Sequence, residues 1–260
     1  MSYPNQYAVV TGASRGLGRA FAFELAKCGI NTLLVSSNCQ ISALCEELRN
    51  TYHIDSQYVI ADLTKRESVI SAVDEINAKY NVFFLINNAG VGGSQRFDKV
   101  DVSYLEKIIQ LNVTATTLFC KLLLNNLLQQ NKSFILNVAS MAALTPIGYK
   151  MVYPASKAFV HNLSHAIRAE FRKTGLSVSV VCPGAMATSQ SICQRIEKQG
   201  VFGKLTLISP EKVAHRCVRQ ALRGKREIVV NPAAFVFSKI TPSDIRTRIL
   251  THIVKKETEM

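Results

Sequence analysis

Tyr153 and Lys157 stand four residues apart, and Ser140 precedes the tyrosine by thirteen. Four residues is about one helical turn, so the phenol and the ammonium share a face. A cation beside a phenol favours the phenolate and lowers its proton affinity. A tyrosine placed this way exchanges a proton with a carbonyl or an alcohol near neutral pH. Alone, the Tyr-x-x-x-Lys spacing is common on exposed helix faces. Its weight comes from the surrounding residues.

Near the amino terminus, Thr11-Gly12-Ala13-Ser14-Arg15-Gly16-Leu17-Gly18 follows a short apolar run and opens a helical pattern. Glycine lets a backbone turn tightly beside a pyrophosphate, and the helix amino terminus offers free N–H groups to it. In strand–turn–helix context this spacing predicts a dinucleotide site. An acidic residue about 20 positions further on would hold a free ribose hydroxyl. The chain reads Ser36-Ser37-Asn38 there, with no carboxylate, while Arg15 supplies a cation suited to a phosphate. NADP(H) is the expected cofactor.

The elements that must position these groups alternate along the chain. Strand-like runs fall at 7–10, 31–35, 56–60, 82–86, 133–138, 176–181 and 227–230, with helical patterns at 17–28, 40–51, 66–79, 101–129, 152–173 and 210–222. Val82-Phe83-Phe84-Leu85-Ile86 is continuously apolar, as a strand buried on both faces requires. The alternation predicts an α/β fold with helices on both sides of a parallel sheet. The leucine-rich end of 101–129 predicts either a second burial surface, such as another subunit, or a helix wedged into its own core.

At 260 residues and 48% hydrophobic content the chain suits one large domain, with no apolar stretch of transmembrane length. Residues 1–6 lack a basic region leading into an apolar run, so no signal peptide is expected. Seven scattered cysteines suit reduced thiols and a cytoplasmic location. No metal is expected, because the five histidines form no ligand cluster with those cysteines. Residues 1–150 carry 13 basic and 11 acidic groups, whereas 151–260 carry 18 and 7. That basic half either attracts polyanions or is a solvated surface, and no nucleic-acid recognition motif accompanies it.

Taken in order, Thr11-Gly12-x-x-x-Gly16-x-Gly18, Asn87-Asn88-Ala89-Gly90, Asn112, Ser140, Tyr153-x-x-x-Lys157 and Pro183-Gly184 resemble the short-chain dehydrogenase/reductase family from about residue 6 to 231. The resemblance implies a Rossmann-like, doubly wound parallel sheet of about seven strands in one domain, 1–232, with 233–260 as a carboxyl-terminal extension. It implies that Tyr153 is the general acid in carbonyl reduction, Lys157 binds the nicotinamide ribose and acidifies the tyrosine, and Ser140 holds the substrate oxygen. Asn112 would distort its helix and hold a water leading from Lys157 to solvent. Cofactor contacts are implied for Gly12, Ser14, Arg15, Gly16, Leu17, Gly18, Ser37, Asp62, Leu63, Asn88, Ala89, Gly90, Pro183, Gly184 and Thr188, besides Tyr153 and Lys157. Ser37 departs from the arginine common in NADP-preferring members, leaving Arg15 as the single cationic contact. Asp62, taken alone, reads as a helix cap.

The same resemblance bounds the substrate by 91–97, 141–151 and 185–208, with Val91, Met141, Leu144, Tyr149, Met186 and Ile192 as candidate lining residues. Such an apolar cleft suits an acyl chain, a sterol or an aromatic ketone, and ordinary core packing accounts for most of these side chains equally well. Lys212, Arg216, Arg219 and Arg223 recur at helical spacing, and the stretch 209–214 resembles the 3-oxoacyl and 17β-hydroxysteroid reductases. Together they suggest acyl thioesters on an acidic carrier, although a solvated helix face explains the stripe as well. Family resemblance also implies a homodimer or homotetramer through 101–129 and 152–173. The competing reading is a nucleotide-binding regulatory protein without turnover, against which the four intact residues Asn112, Ser140, Tyr153 and Lys157 speak. The mixed apolar and basic tail would pack on the domain, complete an interface or rest on an anionic membrane.

Overall fold

The computed structural model describes residues 5–184, 186 and 208–258. Its centre is a seven-stranded, all-parallel sheet built from β1 (Gln6–Thr11), β2 (Asn31–Ser36), β3 (Ser56–Ile60), β4 (Asn81–Asn87), β5 (Ser133–Val138), β6 (Leu176–Val181) and β7 (Glu227–Ile228), in the order β3-β2-β1-β4-β5-β6-β7. The fold is the Rossmann-like doubly wound arrangement expected. Strand order reverses between β1 and β4, which opens a crevice outside their carboxyl ends, the place where such sheets bind ligands.

Apolar alternation divides the sheet between two cores. Phe84, Val10, Leu34 and Leu136 point to one face, where α1 (Gly16–Lys27), α2 (Ile41–Tyr52) and α8 (Pro210–Ala221) cover them with Phe21, Leu48 and Val213. Leu85, Val9, Leu33 and Ile135 point to the other, under α3 (Arg66–Lys79), α5 (Thr116–Leu122) and α6 (Leu124–Leu128). Each fully buried side chain of this size contributes roughly 2 kcal/mol. Both faces of β4 are therefore apolar because both are covered.

The helix expected over 101–129 is broken. It runs as α4 (Val102–Ile109), a π-helical turn (Gln110–Ala115), α5 and α6, with Leu123 at the junction of the last two. Leu123 and Leu127 are wholly buried in the second core while Leu128 is exposed, so much of the leucine-rich end serves its own domain. Helix α7 (Tyr153–Glu170) starts at the tyrosine, with Pro154 in its first turn, where a missing N–H costs nothing. Beyond β7 the tail forms α9 (Pro232–Ile240) and α10 (Ser243–Thr258), elements absent from the sequence expectation. Helix α10 reaches back to the segment before α7, where Gly148 N donates to Thr251 Oγ1 at 2.9 Å and Val254 is buried. Among the described residues no helix is long and apolar enough to cross a membrane.

A polar ladder crosses the buried centre. Asn87 Nδ2 donates to Asn137 Oδ1 at 2.9 Å, and Asn137 Nδ2 donates to Ser164 Oγ at 2.9 Å, linking β4, β5 and α7. Removing the middle member takes a bond from two buried side chains at once, leaving Asn87 Nδ2 only the weak Cys120 Sγ acceptor and Ser164 Oγ its bond to the Val160 carbonyl. Asn137→Ala is expected to cost about 2–3 kcal/mol in urea unfolding, against well under 1 kcal/mol for an exposed asparagine.

Candidate active site

The glycine turn after β1 folds as the sequence requires. Gly12 and Gly16 have φ of 66° and 55°, the left-handed region that other residues enter at a cost. A Cβ on Gly12 would lie 3.0 Å from the Ala89 Cα, and one on Gly18 would lie 2.7 Å from Asn88 Nδ2, so the turn nests against the loop after β4. Thr11 ties the two together: its Oγ1 accepts from the N–H groups of Asn88 and Ala89, both at 3.0 Å, and its carbonyl accepts from Asn88 Nδ2 at 3.0 Å. Arg15 is the residue capping α1, in extended conformation, and no side chain caps the helix amino terminus there. The turn thus presents backbone N–H groups and the exposed Arg15 at the crevice edge, a cradle for a phosphate-bearing ligand.

Other expected cofactor contacts divide by exposure. Ser14, Asn88, Ala89 and Gly184 are half-buried, Gly90 and Ser37 are exposed, and Pro183 is buried. Leu17 and Leu63 are buried within the two cores, which leaves their backbone as the part able to meet a ligand. Asp62 Oδ1 accepts from Thr64 N at 3.0 Å and Thr64 Oγ1 at 2.7 Å, and these bonds hold its carboxyl below the ordinary range. It shapes the turn before α3 but does not cap that helix, whose N-cap is Lys65, so the capping reading of the sequence does not hold. Thr188 and Ile192 lie outside the described residues.

The residues expected to do chemistry gather at the carboxyl end of β5. Lys157 is 5% exposed, and its Nζ donates to the carbonyl of Val138 at 2.8 Å, two residues before Ser140. Burial penalises the ammonium and brings its pKa down to about 8. Asn112, wholly buried, sits in the π-helical turn, so the expected helix distortion is present. Its Oδ1 accepts from Val91 N at 2.9 Å, while its Nδ2 donates to Val91 O and Ser156 Oγ, each at 2.9 Å. Its side chain pins the loop after β4 to α7. Gly90 lies between: a Cβ there would stand 3.1 Å from both Lys157 Nζ and Asn112 Oδ1.

Tyr153 begins α7, half-buried, with Gly92 against its ring; a Cβ on Gly92 would come within 2.5 Å of Tyr153 Cδ2. Two non-glycine residues just before it, Tyr149 and Met151, adopt φ of 63° and 56°. Such strain persists only where the surroundings enforce it. Here Gln95 N donates to Tyr149 O at 2.7 Å and Lys150 Nζ to Ser94 Oγ at 2.5 Å, clasping 149–151 to the loop at 92–95. Ser140 Oγ accepts from Ala142 N at 3.2 Å and caps a short turn, Met141–Leu144. Burial pushes the neighbouring Cys182 thiol up to about 12, which removes it as a thiolate nucleophile. Val91, Met141, Leu144 and Tyr149 are half-buried around this centre, whereas Met186 packs on the first core. An open groove of about 1100 Å³ between α1 and α8 touches Gly16 but not Tyr153, so the chemistry does not reside there.

Sequence reasoning missed Gly92, Ser156 and the Val138 carbonyl as parts of this site. The Gly92-Gly93 pair following Asn87-Asn88-Ala89-Gly90 was a usable signal for the first. Nothing local marks the other two.

The short chain dehydrogenase family model matches residues 6–199. The chain belongs to the short-chain dehydrogenase family. It is 33% identical over 190 residues to the very-long-chain 3-oxoacyl-CoA reductase of Anas platyrhynchos, covering 71% of this chain and 61% of that protein. It is 33% identical over 187 residues to the 17-beta-hydroxysteroid dehydrogenase type 3 of Mus musculus, covering 70% and 61%. The inactive hydroxysteroid dehydrogenase-like protein 1 of Homo sapiens is 29% identical over 189 residues, covering 72% and 57%. The matches thus span about three fifths of these relatives' length. Among solved structures, L-sorbose reductase from Gluconobacter frateurii complexed with NADPH superposes with a TM-score of 0.78 at 23% identity, covering 89% of this chain and 97% of that one. A short-chain dehydrogenase/reductase from Burkholderia phymatum in complex with NAD superposes with a TM-score of 0.82 at 22% identity, covering 95% and 96%.

In this short-chain dehydrogenase the buried Lys157 carries a stability cost. Its folded-state pKa lies below the unfolded value, so the unfolded chain binds more protons and stability rises as pH climbs from about 8 toward the ordinary lysine range. Lys157→Met is expected to raise folding stability by about 1 kcal/mol at pH 7 and to flatten that rise. Thermal melts of both proteins at pH 7 and pH 10 check it.

Proposed function

We propose that this short-chain dehydrogenase interconverts a ketone and a secondary alcohol with NADP(H), on an apolar substrate such as a 3-oxoacyl thioester. The observation that carries the reading is a tyrosine one helical turn from a buried cation, beside the carboxyl ends of β4 and β5. The residues fit a dinucleotide: glycines at 12, 16 and 18 occupy positions where a Cβ or a left-handed φ excludes larger residues, and α1 begins uncapped. Gly12, Ser14, Gly16 and the backbone of Leu17 and Gly18 would hold the pyrophosphate. Asp62, Leu63, Asn88, Ala89 and Gly90 would line the adenosine and ribose side, and Pro183, Gly184 and Thr188 the nicotinamide end. The bound cofactor supplies the hydride.

In reduction Tyr153 donates its phenolic proton to the substrate oxygen, and Ser140 hydrogen-bonds that same oxygen and fixes its position. Lys157 stabilises the resulting phenolate while it stays an ammonium, which requires pH below about 8 before cofactor contacts act on it. Asn112 holds the loop carrying Val91 in place, so that Gly90 backbone faces the lysine. Arg15 and the missing carboxylate at Ser36-Ser37-Asn38 support NADP(H). The names of the reductase and hydroxysteroid relatives support an apolar carbonyl substrate, with a hydroxysteroid as the alternative to a thioester. Lys212, Arg216 and Arg219 are exposed on α8 and Arg223 is exposed in the turn that follows it, which supports an acidic acyl carrier as the donor. Exposed Val102, Ile109 and Phe159 on α4 and α7 support a homodimer or homotetramer. Free cysteines throughout the described residues support a reducing, cytoplasmic setting.

A second reading, a nucleotide-binding regulatory protein without turnover, is favoured by the relative named as inactive. Tyr153→Phe separates the two, since it keeps the ring against Gly92 and deletes the proton. Reduction of a competent ketone with NADPH should fall about 10²–10⁴-fold in kcat/KM, with NADPH binding retained. Turnover near the parent level refutes the mechanism, and binding without any turnover in the parent across ketones of increasing chain length favours the regulatory reading. Arg15→Glu should weaken NADPH binding at least tenfold while leaving NADH within about threefold, read by nucleotide fluorescence.

A further inference from the structure

Two turns beyond Tyr153, helix α7 carries His161 and His165 on one face. The fold brings Glu227 of β7 to the same spot, although it is more than sixty residues distant in sequence. His161 Nε2 lies 3.3 Å from Glu227 Oε1 and 3.3 Å from His165 Nε2, and all three ligand atoms fall within 4.8 Å of one another. Their rings cross edge to face with centroids 4.5 Å apart. Arg226 also reaches the cluster, its Nε donating to His165 Nδ1 at 3.0 Å.

Proton counting exposes an imbalance. Arg226 directs an N–H at Nδ1, so the proton of a neutral His165 ring sits on Nε2. That N–H points at His161 Nε2, which also faces a carboxylate oxygen. With both rings neutral, the His165 N–H either faces two acceptors, His161 Nε2 and Glu227 Oε1, or, if His161 carries its proton on Nε2, opposes a second N–H. An added proton on His165 would set a second cation against the Arg226 guanidinium that already donates to that ring. A cation of a different kind meets the geometry. Zinc binds imidazole nitrogen and carboxylate oxygen at about 2.0–2.2 Å in a tetrahedron, which sets neighbouring ligand atoms about 3.3 Å apart.

We propose that His161, His165 and Glu227 form a four-coordinate, zinc-type divalent metal site that clips the helix bearing Tyr153 and Lys157 to the edge strand β7. Water fills the fourth position. Coordination through Nε2 puts the His165 ring proton on Nδ1, so Arg226, exposed at the rim, swings out as the metal enters. The two observed spacings of 3.3 Å already match, and only the distance between His165 and Glu227 must shorten. The cysteines take no part, which is why a search for mixed histidine–cysteine ligand patterns passes over these residues. The site stands independently of the oxidoreductase reading.

The test titrates Zn²⁺, then Co²⁺, into chelator-stripped full-length chain. One saturable equivalent is expected, and a hundredfold excess over Kd should raise Tm by roughly 5 °C or more. His161→Ala and His165→Ala should each lose at least tenfold in affinity, whereas His53→Ala and His252→Ala should not. Glu227→Gln keeps the side-chain shape and should also lose at least tenfold, which guards against misfolding of the histidine variants. Arg226→Gln should bind as tightly as the parent or more so, an outcome a merely structural hydrogen-bond cluster would not produce. Bound Co²⁺ should show the intense visible bands of four-coordinate cobalt. Absent saturable uptake, uptake undiminished in the His161→Ala/His165→Ala double variant, or the weak bands of six-coordinate cobalt would each overturn the site.

Discussion

The Lys157 ammonium sits in the interior with the Val138 carbonyl as its hydrogen-bond acceptor, and much of the local architecture follows from holding it there. An unpaired buried cation is costly, and one carbonyl offsets only part of that cost. The groups around it are arranged to leave room instead of to neutralise it. Gly90 supplies backbone without a side chain, and Asn112 turns its amide toward Val91 and Ser156. No carboxylate contributes to the shift of this lysine, so its charge stays available to the neighbouring phenol one turn away.

Keeping a tyrosine at the first position of a helix imposes a second constraint. A helix amino terminus is easily frayed, yet Tyr153 must hold its ring over Gly92. The chain meets this by spending strain just upstream: Tyr149 and Met151 are both left-handed, and bonds to the loop at 92–95 hold them so. The π-helical turn acts on the same loop from the opposite side through Asn112. Helix α10 adds a third support where Thr251 meets Gly148. Three separate elements therefore hold the two loops that flank Tyr153, the π-helical turn and α10 doing so with side chains bonded to loop backbone.

This explains which parts were legible in the sequence. The sheet could be read because β4 and its neighbours are covered on both faces, so Val82 to Ile86 is continuously apolar and the register of the strands follows the core. The glycine turn was legible because Gly12 and Gly16 answer to backbone conformation, which composition displays directly. The break in 101–129 was legible only through the family resemblance, which places a distortion at Asn112; local propensity does not display it, because Asn112 bonds across the fold. Gly92 and Ser156 escaped for the same reason: their partners lie 61 and 44 residues away in the chain. The two tail helices were obscured because apolar and basic residues alternate there without one clean stripe, and Val236, Ile240, Ile245 and Ile249 remain exposed.

Helix α7 shows how one element serves two ends of the molecule. Its amino-terminal turn carries the phenol and the ammonium, and its middle carries Ser164 in the polar ladder to Asn137. The face of His161 and His165 looks away from that ladder toward Glu227 and Arg226 at the sheet edge. β7 is only two residues long and pairs with β6 alone, so side-chain links from α7 hold that edge in addition to backbone bonds. Arg168 makes another such link, donating to the carbonyls of Val178 and Gly224 at 2.7 and 2.9 Å. Helix α7 is fixed at its start by strained loops and along its length by these polar ties. The turn that carries Tyr153 is thus tied through α7 to β7 as well as to the loops that touch it.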